Sequence, residues 1–224
     1  MNNSDKQELE VLVEYLEARD GKHLPLMFLA GPAGAEESTA MEVAQRFCFK
    51  FSRLVGMMWD DFTSLFTAYT GSAVIGVRGL TICKTAFVLK RTILTEEDKR
   101  MWQGVKMLIV DEISFIQDNQ LQILDKRLKE TRDSTQVFSG YSIIFAGDFR
   151  QLEPSGLSDN NPLYSRQSSN LWNDAMNAII LLDNDHRFKD DPEYGQIMMK
   201  RCGNTTYPKR GQNHSTQALL IIME

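Results

Sequence analysis

The chain has 224 residues, with 25 Lys and Arg against 30 Asp and Glu, which gives a formal net charge of −5. Hydrophobic residues make up 42% and there are only 14 Gly and 6 Pro, which excludes collagen-like, disordered and low-complexity proteins. Apolar runs such as residues 218–223 are far shorter than the roughly 20 residues of a membrane helix, and no signal peptide pattern opens the chain, so we expect an intracellular protein without a membrane partner.

The first predicted elements are helix, strand, loop and helix. Ser4 and Gln7 form a capping-box pattern, and apolar residues then recur at helical spacing until Gly21. A short apolar run at 26–30 predicts a strand, which a glycine-bearing loop at 31–34 connects to a predicted helix over 38–51.

Later segments repeat this alternation of buried strand and amphipathic helix. Four further apolar runs predict strands, and one amphipathic pattern predicts a helix. The strands are predicted at 63–68, 107–110, 141–146 and 178–182, and the helix at about 119–132. The pattern indicates an α/β fold with a mostly parallel sheet and helices on both faces. Residues 204–217 are almost devoid of core formers, and we expect a flexible tail over 204–224.

The loop after the first strand partly matches a phosphate-binding loop. That loop has the form G-x-x-x-x-G-K-[ST], because backbone N–H groups cradle phosphates, Lys neutralises charge and Ser or Thr holds Mg²⁺. The chain reads GPAGAEES at 31–38, so Glu36 replaces the second glycine and Glu37 replaces the lysine. From these residues alone, a plain strand-to-helix turn is an equal alternative.

Acidic and polar residues end two later strands. Asp111 and Glu112 follow the strand at 107–110, where one acid can hold the water shell of Mg²⁺ and the next can deprotonate an attacking water. Gln151 lies in a polar cluster after the strand at 141–146 and could sense a terminal phosphate. The alternative for the acids is a strand end that is merely solvated.

These segments together resemble the Pif-one-like superfamily-one DNA helicases. Six motifs occur in the family's order, and the last, extended to HRFKDDPEY at 186–194, looks most like the Helitron-type branch. The motifs are GPAG at 31–34, AYTGSA at 68–73, GLTI at 79–82, VDEIS at 110–114, GDFRQLEP at 147–154 and DHRF at 185–188. The resemblance implies that residues 1–203 form a RecA-like P-loop NTPase domain, the first of the usual two, which hydrolyses ATP with Mg²⁺ and moves 5′ to 3′ on single-stranded DNA.

The resemblance also implies roles for individual residues. Glu112 would be the catalytic base, Gln151 would couple the γ-phosphate to DNA, and Arg187 would stabilise charge on the transferred phosphoryl group. Asp111 and Ser38 would serve Mg²⁺. DNA would pass along Thr70, Gly71 and Thr81. Nucleotide would be bound by Gln7, Gly31, Pro32, Ala33, Gly34, Ala35, Glu36, Glu37, Ser38 and Thr39. Capping remains an alternative for Gln7, and a surface ion pair for Arg187. For a eukaryotic chain the resemblance implies the nucleus, with roles in DNA repair, recombination, telomere maintenance or transposition.

The chain departs from the family pattern in ways that change the expected activity. Glu37 reverses the charge of the loop lysine, and Glu36 removes a glycine that allows close phosphate approach. We therefore expect very weak Mg-ATP binding and no turnover. Too few residues follow Arg187 for a second RecA-like domain, so we expect it to be absent or supplied by another chain. Cys83 also stands where the family commonly has histidine.

Two other interpretations of the chain remain open. One is a non-catalytic module that binds DNA or protein, for which basic residues could touch phosphates, although a solvated helix face is the alternative role for them. Those residues are Lys84, Lys90, Arg91, Lys126, Arg127, Lys129 and Arg132. The other is a P-loop enzyme such as a nucleotide kinase, against which the motif at 147–154 argues.

Overall fold

A computed structural model gives the fold of the protein. It describes residues 26–31, 37–54, 56, 58, 60, 63–69, 80–81, 94–149, 163, 171–182 and 218–222. The strands are β1 (Leu26–Ala30), β2 (Ser64–Ala68), β3 (Leu80–Thr81), β4 (Met107–Asp111), β5 (Ser142–Ala146), β6 (Ala178–Leu182) and β7 (Ala218–Ile222). The α-helices are α1 (Glu37–Leu54), α2 (Glu96–Gln103), α3 (Asp118–Arg132) and α4 (Leu171–Ala175), and short 3-10 helices occupy Ile113–Phe115 and Val137–Gly140.

The described strands form one sheet in the order β3-β2-β4-β5-β1-β6-β7. Pairing is parallel from β3 through β6, and β7 joins β6 antiparallel. Strand β5 therefore lies between β1 and β4, although both precede it in the chain. Five of the seven strands were predicted from their apolar runs, and the mostly parallel α/β architecture is confirmed.

Alternate residues of the central strands face opposite sides of the sheet, and each side carries a core. Phe28 on β1 and Leu108 on β4 belong to one apolar cluster, which α2, α3 and α4 cover. Met27 and Ile109 belong to a second cluster, which includes Met41 of α1. Helices thus cover both faces, which explains why these strands are buried along their whole length.

Helices α2 and α3 pack on one face through their apolar side chains. Trp102 of α2 is fully buried and meets the ring of Tyr141 edge-on at 5.6 Å between centroids. The Tyr141 hydroxyl donates to the Trp102 carbonyl oxygen at 3.1 Å. Leu121, Leu124 and Leu128 form the buried stripe of α3. This packing fixes the chain on either side of β4.

The structure differs from the sequence predictions at several elements. Helix α1 runs from residue 37 to 54, longer than predicted at both ends. The helices α2 and α4 and the two-residue strand β3 were not predicted. Within the expected tail over 204–224, residues 218–222 form β7, so the prediction of a flexible tail is wrong for this segment. An apolar run with two Ile residues can gain more from pairing beside β6 than from solvation.

Two expectations remain, one about the predicted N-terminal helix and one about membrane-spanning helices. The predicted helix from Ser4 to Gly21 lies outside the described residues. Among the helices that the structure describes, none combines the length and the apolar character needed to cross a bilayer.

Candidate nucleotide and nucleic-acid site

Strand register brings the predicted site residues to one edge of the sheet. Ala68 pairs with Asp111, and Val110 pairs with Phe145. Leu29 pairs with Ala146, which completes the series from β2 to β1. Adjacent strands lie about 4.8 Å apart, and ligands of open α/β sheets bind beyond such carboxyl ends. Gly31, at the end of β1, therefore shares an edge with Asp111 and Glu112.

The Asp111–Glu112 turn has a backbone conformation that most residues avoid. Glu112 has φ 56° and ψ 41°, which is the left-handed region. Asp111 is 8% exposed, and its Oδ1 accepts the Glu112 N–H at 2.8 Å. A 3-10 turn follows directly, in which the Phe115 N–H donates to the Glu112 carbonyl at 3.1 Å. Strained residues of this kind concentrate at functional sites.

Gly147 permits the end of β5 to lie against this turn. Its φ is +146°, and its N–H donates to the Leu29 carbonyl of β1 at 3.2 Å. A Cβ atom at this position would lie 3.1 Å from the backbone nitrogen of Ile113 and 3.2 Å from its Cγ2. Gly147 is thus the point where β1, β5 and the turn after β4 approach one another.

Phe149 anchors the segment that leads toward Gln151. Its ring centroid lies 5.1 Å from that of Phe28 on β1 and 5.6 Å from that of Trp172 on α4. The preceding residue, Asp148, is 2% exposed. The aromatic contacts therefore fix where the polar motif leaves the sheet. Gln151 itself lies outside the described residues.

Tyr69 continues β2 at the same edge. Its ring stacks on Phe115 with 6.1 Å between centroids and 16° between planes. The Tyr69 hydroxyl accepts a hydrogen bond from Gln120 Nε2 at 3.4 Å. Thr81 ends the neighbouring strand β3, whereas Thr70 and Gly71 lie outside the described residues.

Three of the basic residues on α3 have partners within the protein. Lys129 Nζ contacts Asp125 Oδ2 at 2.7 Å, and Arg127 contacts Glu130 at 2.7 Å. Arg132 donates to a backbone carbonyl and lies 3.6 Å over the Tyr141 ring. These contacts favour a structural role over contact with DNA phosphates. Lys84, Lys90 and Arg91 lie outside the described residues.

The sequence predicts a nucleotide loop between β1 and α1. Gly31 is buried, and α1 begins at Glu37, so a carboxylic residue occupies the helix start where the motif requires lysine. These two residues do not suit a triphosphate. Phosphate oxygens need hydrogen-bond donors, and ionised Glu36 and Glu37 can only accept hydrogen bonds. Asp111 does suit Mg²⁺, which takes one or two carboxylates with water. Within the described ranges, no group of three or more His, Cys, Asp or Glu residues could hold a metal ion by itself.

The structure thus brings together only part of the predicted site. Gly31, Asp111, Glu112 and the helix start at 37–39 share one edge of the sheet. The following predicted residues lie outside the described residues: Gln7, Pro32, Ala33, Gly34, Ala35, Glu36, Thr70, Gly71, Gln151 and Arg187. Sequence reasoning gave no separate role to Tyr69, Gly147 and Phe149. Tyr69 and Gly147 directly follow a strand end, and Phe149 is the third residue after β5; this placement is the signal that could have found them.

Comparisons with known proteins agree with this architecture. The Psychrobacter ATP-dependent DNA helicase Pif1 is 31% identical over 170 residues, which cover 70% of this chain and 25% of that protein. The Pif1 helicase structure from Candida albicans has a TM-score of 0.68 at 22% identity, covering 88% of this chain and 43% of that one. The Bacteroides Pif1 helicase, solved in complex with ADP-AlF3 and ssDNA, has a TM-score of 0.60 at 19% identity, covering 88% and 45%.

The sheet order and the structural match define an α/β domain with the RecA-like fold. A family profile described as PIF1-like helicase matches residues 74–198, which is more than half of the chain. The chain belongs to the PIF1-like helicase family. It spans about a quarter or less of the length of the curated relatives it matches.

Proposed function

We propose that this chain is the first RecA-like domain of a Pif1-type 5′ to 3′ DNA helicase in which the nucleotide loop no longer supports ATP turnover. Single-stranded DNA is its partner, as it is in the Bacteroides Pif1 complex. A second RecA-like domain or chain would supply the other half of a motor. The domain would act in the cell interior, in the nucleus if eukaryotic, in DNA repair, recombination, telomere maintenance or transposition.

One observation carries the loss of turnover: α1 begins at Glu37, at the edge that also holds Asp111 and Glu112. A helix N-terminus normally attracts phosphate. A carboxylate there repels phosphate instead, and a charge pair at 4 Å is worth about 4 kcal/mol at an effective dielectric near 20. Exchanging attraction for repulsion could therefore cost roughly 8 kcal/mol before the loop and solvent relax.

The acid turn retains the features that a nucleotide-hydrolysing edge needs. Asp111 is buried and its orientation is fixed by the hydrogen bond from the Glu112 N–H, which suits a carboxylate that orients the water shell of Mg²⁺. Glu112 is half-exposed on a left-handed backbone and could accept a proton from water. Bound Mg-ATP would supply the phosphoryl group, and its Mg²⁺ would supply the positive charge that the two carboxylates balance. We therefore place the defect in the loop and not in the acids.

The remaining residue roles are part of this proposal. Gln7 would contact adenine, and Ser38 would join Asp111 in serving Mg²⁺. Gln151 and Arg187 would respond to the terminal phosphate. Thr70, Gly71 and Thr81 would line the DNA path; Tyr69 and Phe115 at the edge that Thr81 shares support that location.

The test restores the loop. We expect the unaltered protein to show no saturable ATPase activity and no Mg-ATP-dependent rise in melting temperature. The double variant Glu36→Gly, Glu37→Lys should gain a nucleotide-dependent rise, because the phosphates regain a cationic partner and close backbone approach. Adding Glu112→Gln to the double variant is the matched control, which should keep nucleotide binding and lower any hydrolysis.

Two results would contradict the proposal. Saturable ATPase activity in the unaltered protein would show that the loop is competent as it stands. If the double variant remains folded and shows no shift with Mg-ATP, the site is not a decayed nucleotide site, and a non-catalytic DNA- or protein-binding module becomes the better description.

A further inference from the structure

Helix α1 has a buried side and an exposed side. The buried side includes Met41 and Ala44 and lies toward the sheet. Four exposed residues on the other side occur at positions i, i+3, i+4 and i+7, so they line up along two turns of the helix. These residues, which we call the outer face of α1, are Arg46, Phe49, Lys50 and Arg53.

The outer face of α1 is cationic in a protein that is negative overall. Three of its four residues are basic, whereas the whole chain has a formal net charge of −5. Arg46 contacts Glu42 at 3.3 Å, yet 76% of the Arg46 side chain stays exposed. Within the described part of the chain, no carboxylate forms a salt bridge with Lys50 or Arg53. The face therefore keeps a local positive charge that an acidic partner can complement.

Phe49 places an aromatic ring among these charges. It is 42% exposed and is the one aromatic among the exposed large hydrophobic residues of the described ranges. The Arg53 guanidinium lies 5.8 Å from the centroid of its ring. The helix dipole favours basic residues near the end of α1, but it gains nothing from an exposed ring. Phe and Arg side by side are instead typical of the centre of a protein–protein interface.

The outer face of α1 lies away from the nucleotide edge of the sheet. Gln45 Nε2 donates to the carbonyl oxygen of Ser64 at 3.4 Å, and Ser64 is the first residue of β2. By residue 45, α1 has therefore run back to the opposite end of that strand. Phe49 is 12 residues from the start of α1 at Glu37, which is about 18 Å along the helix. A partner on the outer face would leave the edge with Asp111 free.

Charge and shape together favour an acidic peptide over a nucleic acid as the partner. Phosphates would pair with the basic residues but leave the ring of Phe49 in water. Sites for single-stranded DNA are grooves that follow the backbone, whereas the exposed side of a helix is convex. A peptide helix that carries carboxylates around an apolar stripe would pair with the cations and also cover the ring.

We propose that the outer face of α1 binds an acidic amphipathic helix of a partner protein. Phe49 is the apolar anchor, and the three basic residues of the face pair with carboxylates around it. The inference does not depend on the proposed nucleotide chemistry or on the DNA partner. Because the charged contacts are exposed to solvent, binding should weaken as the salt concentration rises.

The experiment measures binding of fluorescein-labelled peptides of about 18 residues to the full chain by fluorescence anisotropy. The probe has Leu at helical spacing with Glu and Ala between; a second peptide has Gln for Glu, and a third has Ser for Leu. The Leu/Glu probe should bind more tightly than the other two. Phe49→Ala should lower its affinity by roughly 5- to 30-fold. Lys50→Glu should lower it by roughly 2- to 10-fold, because an attraction becomes a repulsion.

The double variant Arg100→Glu, Met101→Ala is the matched control. Both residues are exposed and adjacent on α2, whose Trp102 belongs to the core on the other side of the sheet. It should bind the Leu/Glu probe as the unaltered protein does, and melting temperatures verify that each variant is folded. An equal loss in this control would overturn the proposal, as would equal affinity for the Glu and Gln peptides or binding to none of the three.

Two other occupants of the outer face are distinguished by the same variants. If Phe49→Ala and Lys50→Glu weaken binding of an oligo-dT strand of about 18 nucleotides and not of the peptide, the face binds nucleic acid. If sedimentation velocity shows a dimer that Phe49→Ala dissociates, a second copy of the chain covers the face. Either result would overturn the acidic helix as the partner.

Discussion

At the scale of single residues, the site depends on two backbone conformations that are rarely populated. The backbone of Glu112 is in the left-handed region, and Gly147 has a φ angle that residues with a side chain seldom adopt. The two residues meet through Ile113, whose backbone nitrogen would lie 3.1 Å from a Cβ at position 147. This close approach therefore couples the backbone of the turn at Glu112 to the end of β5.

Gly147→Ala should destabilise the fold by about 2 kcal/mol, because it adds backbone strain and crowds Ile113. Urea unfolding measures the loss. Gly56→Ala is the control for strain alone, since Gly56 also has positive φ (+74°) but a Cβ there would meet nothing within 4 Å. Equal losses in the two variants would contradict the close approach at Gly147.

Sequence reasoning located the acids but not their geometry. An apolar run that ends in Asp111 and Glu112 is visible in the sequence, because burial and strand period leave a local pattern. The left-handed turn and the requirement for glycine at 147 arise from contact between strands that are distant in the chain. No local pattern encodes such contacts, and the same holds for the stack of Tyr69 on Phe115.

At the scale of elements, α2 shows how a helix can form without an apolar stripe. Its eight residues include Trp102 as the one buried side chain, and its first turn is acidic. Thr95 Oγ1 accepts the Asp98 N–H at 3.2 Å, while Asp98 Oδ2 accepts the Thr95 N–H at 2.9 Å. This capping box starts the helix and so positions Trp102 against Tyr141.

Thr95→Ala should therefore cost about 1 kcal/mol of unfolding free energy, as loss of an N-cap acceptor does. Denaturant titration followed by Trp fluorescence measures the change. Thr95→Ser retains the acceptor and should be nearly neutral. If serine costs as much as alanine, packing of the threonine methyl group and not capping stabilises α2.

Elements with strong local patterns were predicted, and weak ones were not. β1 and β6 are continuous apolar runs, β4 and β5 each contain four consecutive apolar residues, and α3 has a clear leucine stripe. α2 lacks that periodicity and β3 is only two residues long, so both depend on neighbours for their conformation. β7 was assigned to a tail because polar residues precede it, although its own five residues are apolar.

At the scale of the whole molecule, the sheet separates two cores of unequal composition. The face covered by α2, α3 and α4 contains most of the aromatic residues, whereas Phe66 is the one aromatic residue among the buried members of the cluster under α1, which also includes Met41. Cys48 of α1 packs against this second core, and burial raises the pKa of its thiol. The folded state thus holds Cys48 neutral at a pH where an unfolded thiol ionises.

This raised pKa predicts a pH dependence of stability. Above about pH 8.5 the unfolded thiol ionises first, so the contribution of Cys48 is full below that pH and is lost as pH rises toward the folded pKa. In a background that carries Cys83→Ser and Cys202→Ser, urea unfolding at pH 7.0 and 9.5 should show a larger loss of unfolding free energy for the protein that retains Cys48 than for the Cys48→Ala variant. Identical losses would contradict the prediction.

The position of β1 between β5 and β6 has a consequence for folding during synthesis. Leu26 pairs with Ile143, and Met27 pairs with Ala178, so both partners of β1 leave the ribosome long after it does. Contacts so distant in the chain are slow to form. The nascent chain must therefore keep the five consecutive apolar residues of β1 unpaired until β5 and β6 have been synthesised. A chaperone that holds extended apolar segments would find its binding site here.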